Sequence, residues 1–325
     1  MQDEVTCRFC NYSAPLSEME KDTINIGFWC PFCDGYTYFD NSSQHRFTMI
    51  LEDKSTNDTV STTKSIKFNK RLSPLRYPGG KSKLVSYIYN QINPLNTRVF
   101  VEPFCGGASI GLALLEAGCI EKLILNDKDF GIYSLFKIIK EEPDFLINKI
   151  NTSNLLHVDF FKAREMVLSK YQSCNCKEAS WALLIANRLS YSGICKANPL
   201  GGKGGTTKTL LSRYNMKNLC DRIVKIHELS KNIEIYNMDA VEIIEECYWL
   251  PNTTVFIDPP YYEKGKDLYN IFYQEKDHKD LAFLLDDLYK GMPGADIILT
   301  YDNAEFIEQL YWYPDIKIIG RAYSI

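Results

Sequence analysis

The sequence predicts an α/β fold. We expect a doubly wound, mostly parallel or mixed sheet with helices on both faces, a largely helical insertion, and a small cysteine-bearing unit in front. Three observations support this. Apolar runs at residues 99–102, 122–126 and 254–257 are short and lead into acids, as buried strands of open α/β sheets do where ligands bind. Segments with apolar residues at helical spacing lie between such runs, the pattern of a sheet wound by crossover helices. Four cysteines in two Cys-x-x-Cys pairs precede all of this.

Residues 1–45 read as a separate unit. Cys7-Arg-Phe-Cys10 and Cys30-Pro-Phe-Cys33 stand nineteen residues apart, the spacing of a four-thiolate zinc ribbon. Cys7, Cys10, Cys30 and Cys33 are therefore candidate ligands of a structural Zn2+, with iron or disulfides as the alternatives. Phe9, Phe28, Trp29 and Phe32 are too few to make a core, so so small a unit needs its metal to fold. The polar, acidic Met-Gln-Asp-Glu start lacks a secretory signal and disfavours disulfides. The unit has no basic patch, which leaves DNA contact, a protein partner or simple capping open. Residues 46–73 are rich in Ser, Thr and Asn and read as a linker with one short strand at 47–51, giving the ribbon freedom to move.

The first half of the α/β unit spans 74–141. In Arg76-Tyr-Pro-Gly-Gly-Lys81, Gly79 and Gly80 precede an amphipathic helix carrying Leu84, Val85, Ile88 and Ile92. Close backbone approach to an anionic group is expected there, with Lys81 available to a carboxylate. The stretch 98–111 reads as a strand, a glycine-rich turn and a helix opening near Ser109. Gly106 and Gly107 let the backbone approach a ligand, and the helix start presents unpaired N–H donors. The turn is neither a dinucleotide fingerprint nor a P-loop, which disfavours phosphate chemistry; tight helix–strand packing is the plainer alternative. Asp127 ends the second strand, where an acid reaches ribose hydroxyls or else caps the next helix.

Further along, a buried helix is expected at 181–187. Between 188 and 220 there are six basic residues and no acid. Arg188, Lys196, Lys203, Lys208 and Arg213 are interleaved with Tyr191 and a glycine run, which suits phosphate contact. An ordinary solvated lysine loop is the alternative.

Residues 223–325 hold the most informative motif, Asp258-Pro-Pro-Tyr261 after a buried strand. Pro259 and Pro260 lack N–H groups, so nearby carbonyls are left to accept hydrogen bonds from a substrate amine. Asp258 adds a second acceptor and Tyr261 a stacking face, a set that matches the exocyclic amine of a nucleobase. A proline turn with Asp258 as a helix cap is the competing reading. A helix at 277–290 and a strand at 297–300 follow, closed by Tyr301-Asp-Asn303.

Composition bounds the rest. The chain has 325 residues, 45% of them hydrophobic, and a net charge of -4. That suits a cytoplasmic protein with a full core whose nucleic-acid binding depends on local charge. No apolar stretch approaches a membrane span. The four histidines and the other seven cysteines show no second metal pattern.

In order, Arg-Tyr-Pro-Gly-Gly-Lys81, Val-Glu-Pro-Phe-Cys-Gly-Gly-Ala-Ser109, Leu-Asn-Asp127, Asn-Met-Asp239 and Asp-Pro-Pro-Tyr261 resemble the Dam-like, alpha-class DNA adenine-N6 methyltransferases. The resemblance runs from about Pro74 onward. It implies a Rossmann-like methyltransferase sheet with a target-recognition insertion at 142–222. It implies S-adenosyl-L-methionine held by Glu102, Phe104, Gly106, Gly107, Ala108 and Asp258, with Tyr77, Gly79, Gly80 and Lys81 at its methionine end. Asp127 is then expected at the ribose and Asp239 near the cofactor's adenine. A flipped target adenine is expected between Tyr261 and the cofactor, its amine bound by Asp258 and the Pro259 carbonyl. DNA is the implied partner, contacted by Arg188, Tyr191, Ser192, Lys196, Lys203, Lys208 and Arg213. A cognate restriction endonuclease and a monomer or weak dimer complete the expectation. The target sequence does not follow from these motifs. The alternatives are an RNA base amino-methyltransferase and a non-catalytic zinc-ribbon DNA-binding protein.

Overall fold

The computed structural model describes residues 4–22, 27–38, 45–53, 66–76, 80–93, 96–263, 265 and 271–320. Seven strands form one parallel sheet in the order β12 (Asp315–Gly320), β6 (Phe47–Asp53), β11 (Asp296–Asp302), β10 (Thr253–Ile257), β7 (Val99–Glu102), β8 (Lys122–Asn126) and β9 (Ile233–Tyr236). Neighbouring residues alternate between its faces, as strand geometry requires. Phe100, Leu123, Leu125, Phe256 and Ile298 pack into one core. Val101, Ile124, Val255, Ile257, Ile297 and Leu299 pack into the other. Because both faces are covered, these strands are near-continuous apolar runs.

The first face carries helices Val85–Gln91, Ser109–Glu116 and Phe130–Glu141, together with the insertion helices. The buried helix expected at 181–187 is the middle of Cys176–Leu189, which packs on Phe130–Glu141 and His157–Leu168. The insertion therefore shares one core with the sheet. The second face carries Ala240–Tyr248, Glu275–Lys290 and Glu305–Leu310. Winding reverses between β7 and β10, which lie side by side. A crevice at the carboxyl ends of such strands is the ligand site of open α/β sheets.

The linker reading of 46–73 needs correction. A strand forms where one was expected, but β6 lies inside the main sheet, parallel to both β11 and β12. Its residues from Phe47 to Glu52 are all buried, and Phe68, Leu72 and Leu75 further along join the first core. Polar flanking sequence made a two-sided buried strand look peripheral.

The cysteine-bearing unit has two small antiparallel sheets, β1 (Glu4–Thr6) with β2 (Ser13–Pro15), and β3 (Glu20–Asp22), β4 (Gly27–Trp29) and β5 (Tyr36–Tyr38). Its fully buried apolar cluster is Ala14, Met19 and Phe28. The expected freedom is not seen, because the first cysteine knuckle docks on helix Glu275–Lys290. Arg8 Nη2 donates to the Tyr289 carbonyl at 3.3 Å, and the guanidinium lies 4.8 Å from the Tyr289 ring centroid. Phe9 meets the same ring edge-on at 5.3 Å. His45 also packs against Tyr289, and burial with Arg8 nearby pushes its pKa down to about 3. His278 is fully buried on a Tyr301 hydroxyl at 2.8 Å, so two histidines are core groups. Among the described residues, no helix is long and apolar enough to cross a membrane.

Candidate active site

The glycine turn joins β7 to helix Ser109–Glu116, and it bends through positive φ at Gly106 (47°) and Ala108 (50°). Asp127, at the end of β8, holds it in place: one carboxylate oxygen accepts the Gly106 N–H at 2.9 Å and the other accepts the Asp129 N–H at 2.9 Å. Asp129, not Asp127, caps the following helix by accepting the Gly131 N–H at 2.8 Å. Asn126 ties three strand ends together, donating to the Pro103 carbonyl at 2.9 Å and accepting the Met238 N–H at 2.8 Å. Glu102 turns inward and accepts the Gly111 N–H at 2.6 Å.

Two of these acids are held in an uncharged-leaning state. Burial pushes the Glu102 pKa up to about 8, with Asp258 adding like-charge repulsion. Desolvation pushes Asp127 up to about 7, with Asp129 adding to it. Both acids therefore bind more protons folded than unfolded, Glu102 between about pH 4.5 and pH 8 and Asp127 between about pH 3.8 and pH 7. Stability follows the difference in bound protons, so these groups lower it as pH rises through those windows. Denaturant titrations of the ligand-free protein should show stability falling over this range, and Glu102→Gln should flatten part of the fall. A profile of unchanged slope in that variant would exclude Glu102 as the source.

Asp258 leaves β10 at the same edge of the sheet. Its Oδ1 accepts from Lys81 Nζ at 2.5 Å and from the Thr300 hydroxyl at 2.7 Å. Burial raises its pKa, Lys81 opposes that, and Glu52 reinforces it. Lys81 is 3% exposed, a position a lysine holds only when paired. Among the described residues, the carboxylates it meets are those of Asp258 and Glu52.

Gly80, Lys81, Glu102, Phe104, Gly106, Gly107, Ala108, Asp127 and Asp258, all singled out in the sequence, line one cleft. It is open to solvent at its mouth and runs from the glycine turn to Asp258. Sequence reasoning missed Tyr273 and Ile271, which complete its apolar wall with Phe104, Ile132 and Phe256. They follow the motif without a pattern of their own; the Phe104–Tyr273 edge contact at 5.5 Å arises only on folding. Tyr77 and Gly79 lie outside the described residues.

Three expected site residues do not line the cleft: Pro259, which is buried, Tyr261 and Asp239. Tyr261 is 4% exposed and does not line the cleft. Its hydroxyl turns into the Lys81 cluster beneath, so in this conformation it presents no stacking face. Asp239 caps helix Ala240–Tyr248 through the Val241 N–H at 3.0 Å and pairs with Lys128 at 2.6 Å. The cleft wall beside it is Ala240.

The expected DNA contacts divide. Tyr191, Lys203, Lys208 and Arg213 are exposed, Ser192 is half-buried in a tight turn at φ 55°, and Lys196 lies over the Phe272 ring at 5.6 Å. Arg188 is a correction: it is 6% exposed, and its Nε donates to the Pro74 carbonyl at 2.7 Å. Burial and the neighbouring Arg222 and Arg76 pull its pKa down to about 9. It holds the 66–76 segment and faces no solvent. The loop itself is pinned at Gly193, at φ 78°, where any Cβ would stand 1.9 Å from the Arg76 carbonyl oxygen. Asn187 bridges the Arg76 and Gly193 carbonyls at 3.1 and 2.8 Å.

In the N-terminal unit, the sulfurs of Cys7, Cys10, Cys30 and Cys33 all lie within 4.8 Å of one another. The Cys7–Cys33 and Cys10–Cys30 pairs stand at 3.6 Å, too far for disulfides. A tetrahedral zinc with bonds of about 2.3 Å spaces its sulfurs at about 3.8 Å, so the cluster fits such an ion.

The profile of the D12 class N6 adenine-specific DNA methyltransferases matches residues 77–325. The chain belongs to this family. It is 25% identical over 262 residues to the Type II methyltransferase M.MjaIII of Methanocaldococcus jannaschii, covering 75% of this chain and 89% of that protein. It is 25% identical over 243 residues to the modification methylase StsI of Streptococcus sanguinis, covering 70% of this chain and 35% of that protein. It is 27% identical over 135 residues to the DNA adenine methylase of Vibrio cholerae, covering 39% of this chain and 44% of that protein. The protein is thus a DNA adenine methyltransferase, with DNA as its substrate.

Proposed function

We propose that this methyltransferase transfers the methyl group of S-adenosyl-L-methionine to the 6-amino group of an adenine flipped out of duplex DNA. The observation that carries this reading is that Asp258 and the glycine turn of 103–108 line the same cleft from adjacent strands. Glu102, the turn, Asp127 and the apolar wall of Phe104, Ile132 and Tyr273 suit a ligand with an amino acid end, a ribose and an aromatic base. Bound there, S-adenosylmethionine supplies the sulfonium methyl.

The chain's own groups do the rest. An adenine amine is a poor nucleophile because its lone pair is delocalised into the ring. Asp258 and the Pro259 carbonyl accept its two hydrogens, drawing the pair out and aligning it. As the amine nitrogen gains a methyl group it develops positive charge, which the Asp258 carboxylate stabilises before the nitrogen gives up a proton. Orientation and preorganised electrostatics carry the rate, and no strong base is needed. Flipping costs a few kcal/mol of unstacking, offset by contacts in the pocket. Tyr273 and Phe104 offer rings at the cleft where Tyr261 does not.

The same reading assigns a structural Zn2+ to Cys7, Cys10, Cys30 and Cys33. The names of the relatives, Type II methyltransferase and modification methylase, support a DNA-modification role, and the reading adds a cognate restriction endonuclease and a cytoplasmic setting. The deciding experiment is transfer of labelled methyl from S-adenosylmethionine to unmethylated duplex DNA, followed by nucleoside mass spectrometry and sequencing of modified sites. N6-methyladenine at one motif is expected; label in RNA instead would move the substrate to an RNA base.

The exposed basic loop supplies phosphate contacts in this reading. Lys203→Ala and Arg213→Ala should weaken DNA binding for all sequences alike and each reduce the salt-dependence slope by about 1. Binding isotherms at several salt concentrations test this, and an unchanged slope for both would remove the loop from the DNA interface.

A further inference from the structure

We propose that Glu52 is a positioning residue of the methyl-transfer site, reaching it from a strand that lies wholly upstream of the family match at 77–325. The inference deepens the function proposed above and rests on it. Three adjacent parallel strands bring one side chain each to the same place: Asp258 follows β10, Thr300 is on β11, and Glu52 is on β6 opposite Asp302. Thr300 donates directly to Asp258, whereas Glu52 acts at one remove.

Glu52 is 3% exposed, and a buried carboxylate is tolerated only when it is hydrogen-bonded or paired. Its two oxygens take different partners. Oε1 lies 3.3 Å from Lys81 Nζ, and Oε2 accepts the Tyr261 hydroxyl at 3.0 Å. Lys81 Nζ thus meets three oxygens, on Asp258 at 2.5 Å, Tyr261 at 2.8 Å and Glu52 at 3.3 Å. Its ammonium also sits 4.8 Å from the Tyr261 ring centroid. The phenol therefore donates to Glu52 and accepts from Lys81, which closes a ring of contacts that leads to Asp258.

The physical consequence concerns how much of Lys81 falls on Asp258. With two carboxylates sharing it, the ammonium anchors Asp258 without cancelling its charge. Removing the Glu52 charge takes one competing carboxylate from Lys81, so more of the ammonium's charge falls on Asp258, which weakens the acceptor that the adenine amine needs. The same ring explains why Tyr261 faces inward: its hydroxyl serves the cluster, and the Asp-Pro-Pro-Tyr loop is pinned at its last residue. Among the described residues, the charged and titratable groups around Asp258 are Lys81, Glu52 and Glu102, with the Tyr261 hydroxyl on Lys81.

The test is steady-state methyl transfer by the full chain carrying Glu52→Gln. We expect kcat to fall on the order of tenfold to a hundredfold, the scale of misplacing a reacting group by about 1 Å. KM for S-adenosylmethionine and for DNA should change less than about twofold, because uniform binding is untouched. The acid limb of the kcat profile should move to lower pH, since Asp258 loses a like charge beside it. Wild-type kcat and an unmoved pH profile would overturn the inference. If Glu52→Gln does not fold, Tyr261→Phe decides: it keeps the ring and removes only the hydroxyl between Glu52 and Lys81. A wild-type kcat in that variant overturns the proposal, and a fall in kcat with KM retained upholds it. Failure of the functional reading looks different, because the wild-type protein itself would then transfer no methyl group.

Discussion

Asp258→Ala is expected to lower methyl transfer by at least about a thousandfold, the upper range for removing one preorganised hydrogen-bonding group at a reacting centre. The protein should fold and bind S-adenosylmethionine nearly as before. The geometry explains the separation. Asp258 leaves the end of β10 and is half-buried at the cleft, so its side chain supports little packing. Deleting it removes one partner of Lys81, but Glu52 and Tyr261 still hold the ammonium. No buried charge is stranded, which avoids the cost of breaking an isolated buried pair, about 3–5 kcal/mol. Single-turnover transfer, calorimetric titration with the cofactor and thermal unfolding together check this. Activity within tenfold of wild type would deny Asp258 its role, and loss of the fold would make the residue structural.

If Cys7, Cys10, Cys30 and Cys33 hold Zn2+ as proposed, its removal should have the largest effect on stability. Ala14, Met19 and Phe28 are the fully buried apolar cluster of the cysteine-bearing unit, and structural zinc contributes about 10–16 kcal/mol of apparent binding energy to domains of this kind. A strong chelator, or Cys30→Ser, is expected to unfold that unit. The damage should spread, because Arg8 and Phe9 stand on the knuckle that covers Tyr289. We expect proteolysis to begin within residues 4–38 and the melting temperature of the remainder to fall by several degrees, about 1 kcal/mol or more. Elemental analysis should find one zinc per chain, and that zinc should leave with the loss of structure. A protein with no bound metal, or a Cys30→Ser variant that resists protease as well as wild type, would sink this account.

Much of the site was legible in the sequence because its signals are local. A strand that ends in Glu102 and runs into Gly106 and Gly107 can be read from neighbouring residues, and the structure brings those residues and Asp258 to one cleft. That the two cysteine pairs would face one another was legible for the same reason, since each pair sits at the spacing of a turn. Arg188 was misread because a basic residue in a basic stretch looks solvated. Whether it is depends on the Pro74 carbonyl that it meets, 114 residues away. Tyr261 was read as a stacking face because an aromatic after two prolines has no sequence mark for which way its ring turns.

The sequence by itself determined the alternating strands and helices, the helical insertion, the glycine turn, the acceptor motif and the four thiols. Each of these is a property of backbone preference, hydrophobic period or ligand spacing within a few residues of chain. Only the tertiary structure decided that β6 belongs to the sheet, that the cysteine-bearing unit docks on Tyr289, and that Glu52 and Lys81 meet beneath Asp258. Those outcomes rest on burial and charge pairing between residues up to 281 positions apart. Their energy comes from removing groups from water together, and a one-dimensional pattern carries no record of which groups will be removed.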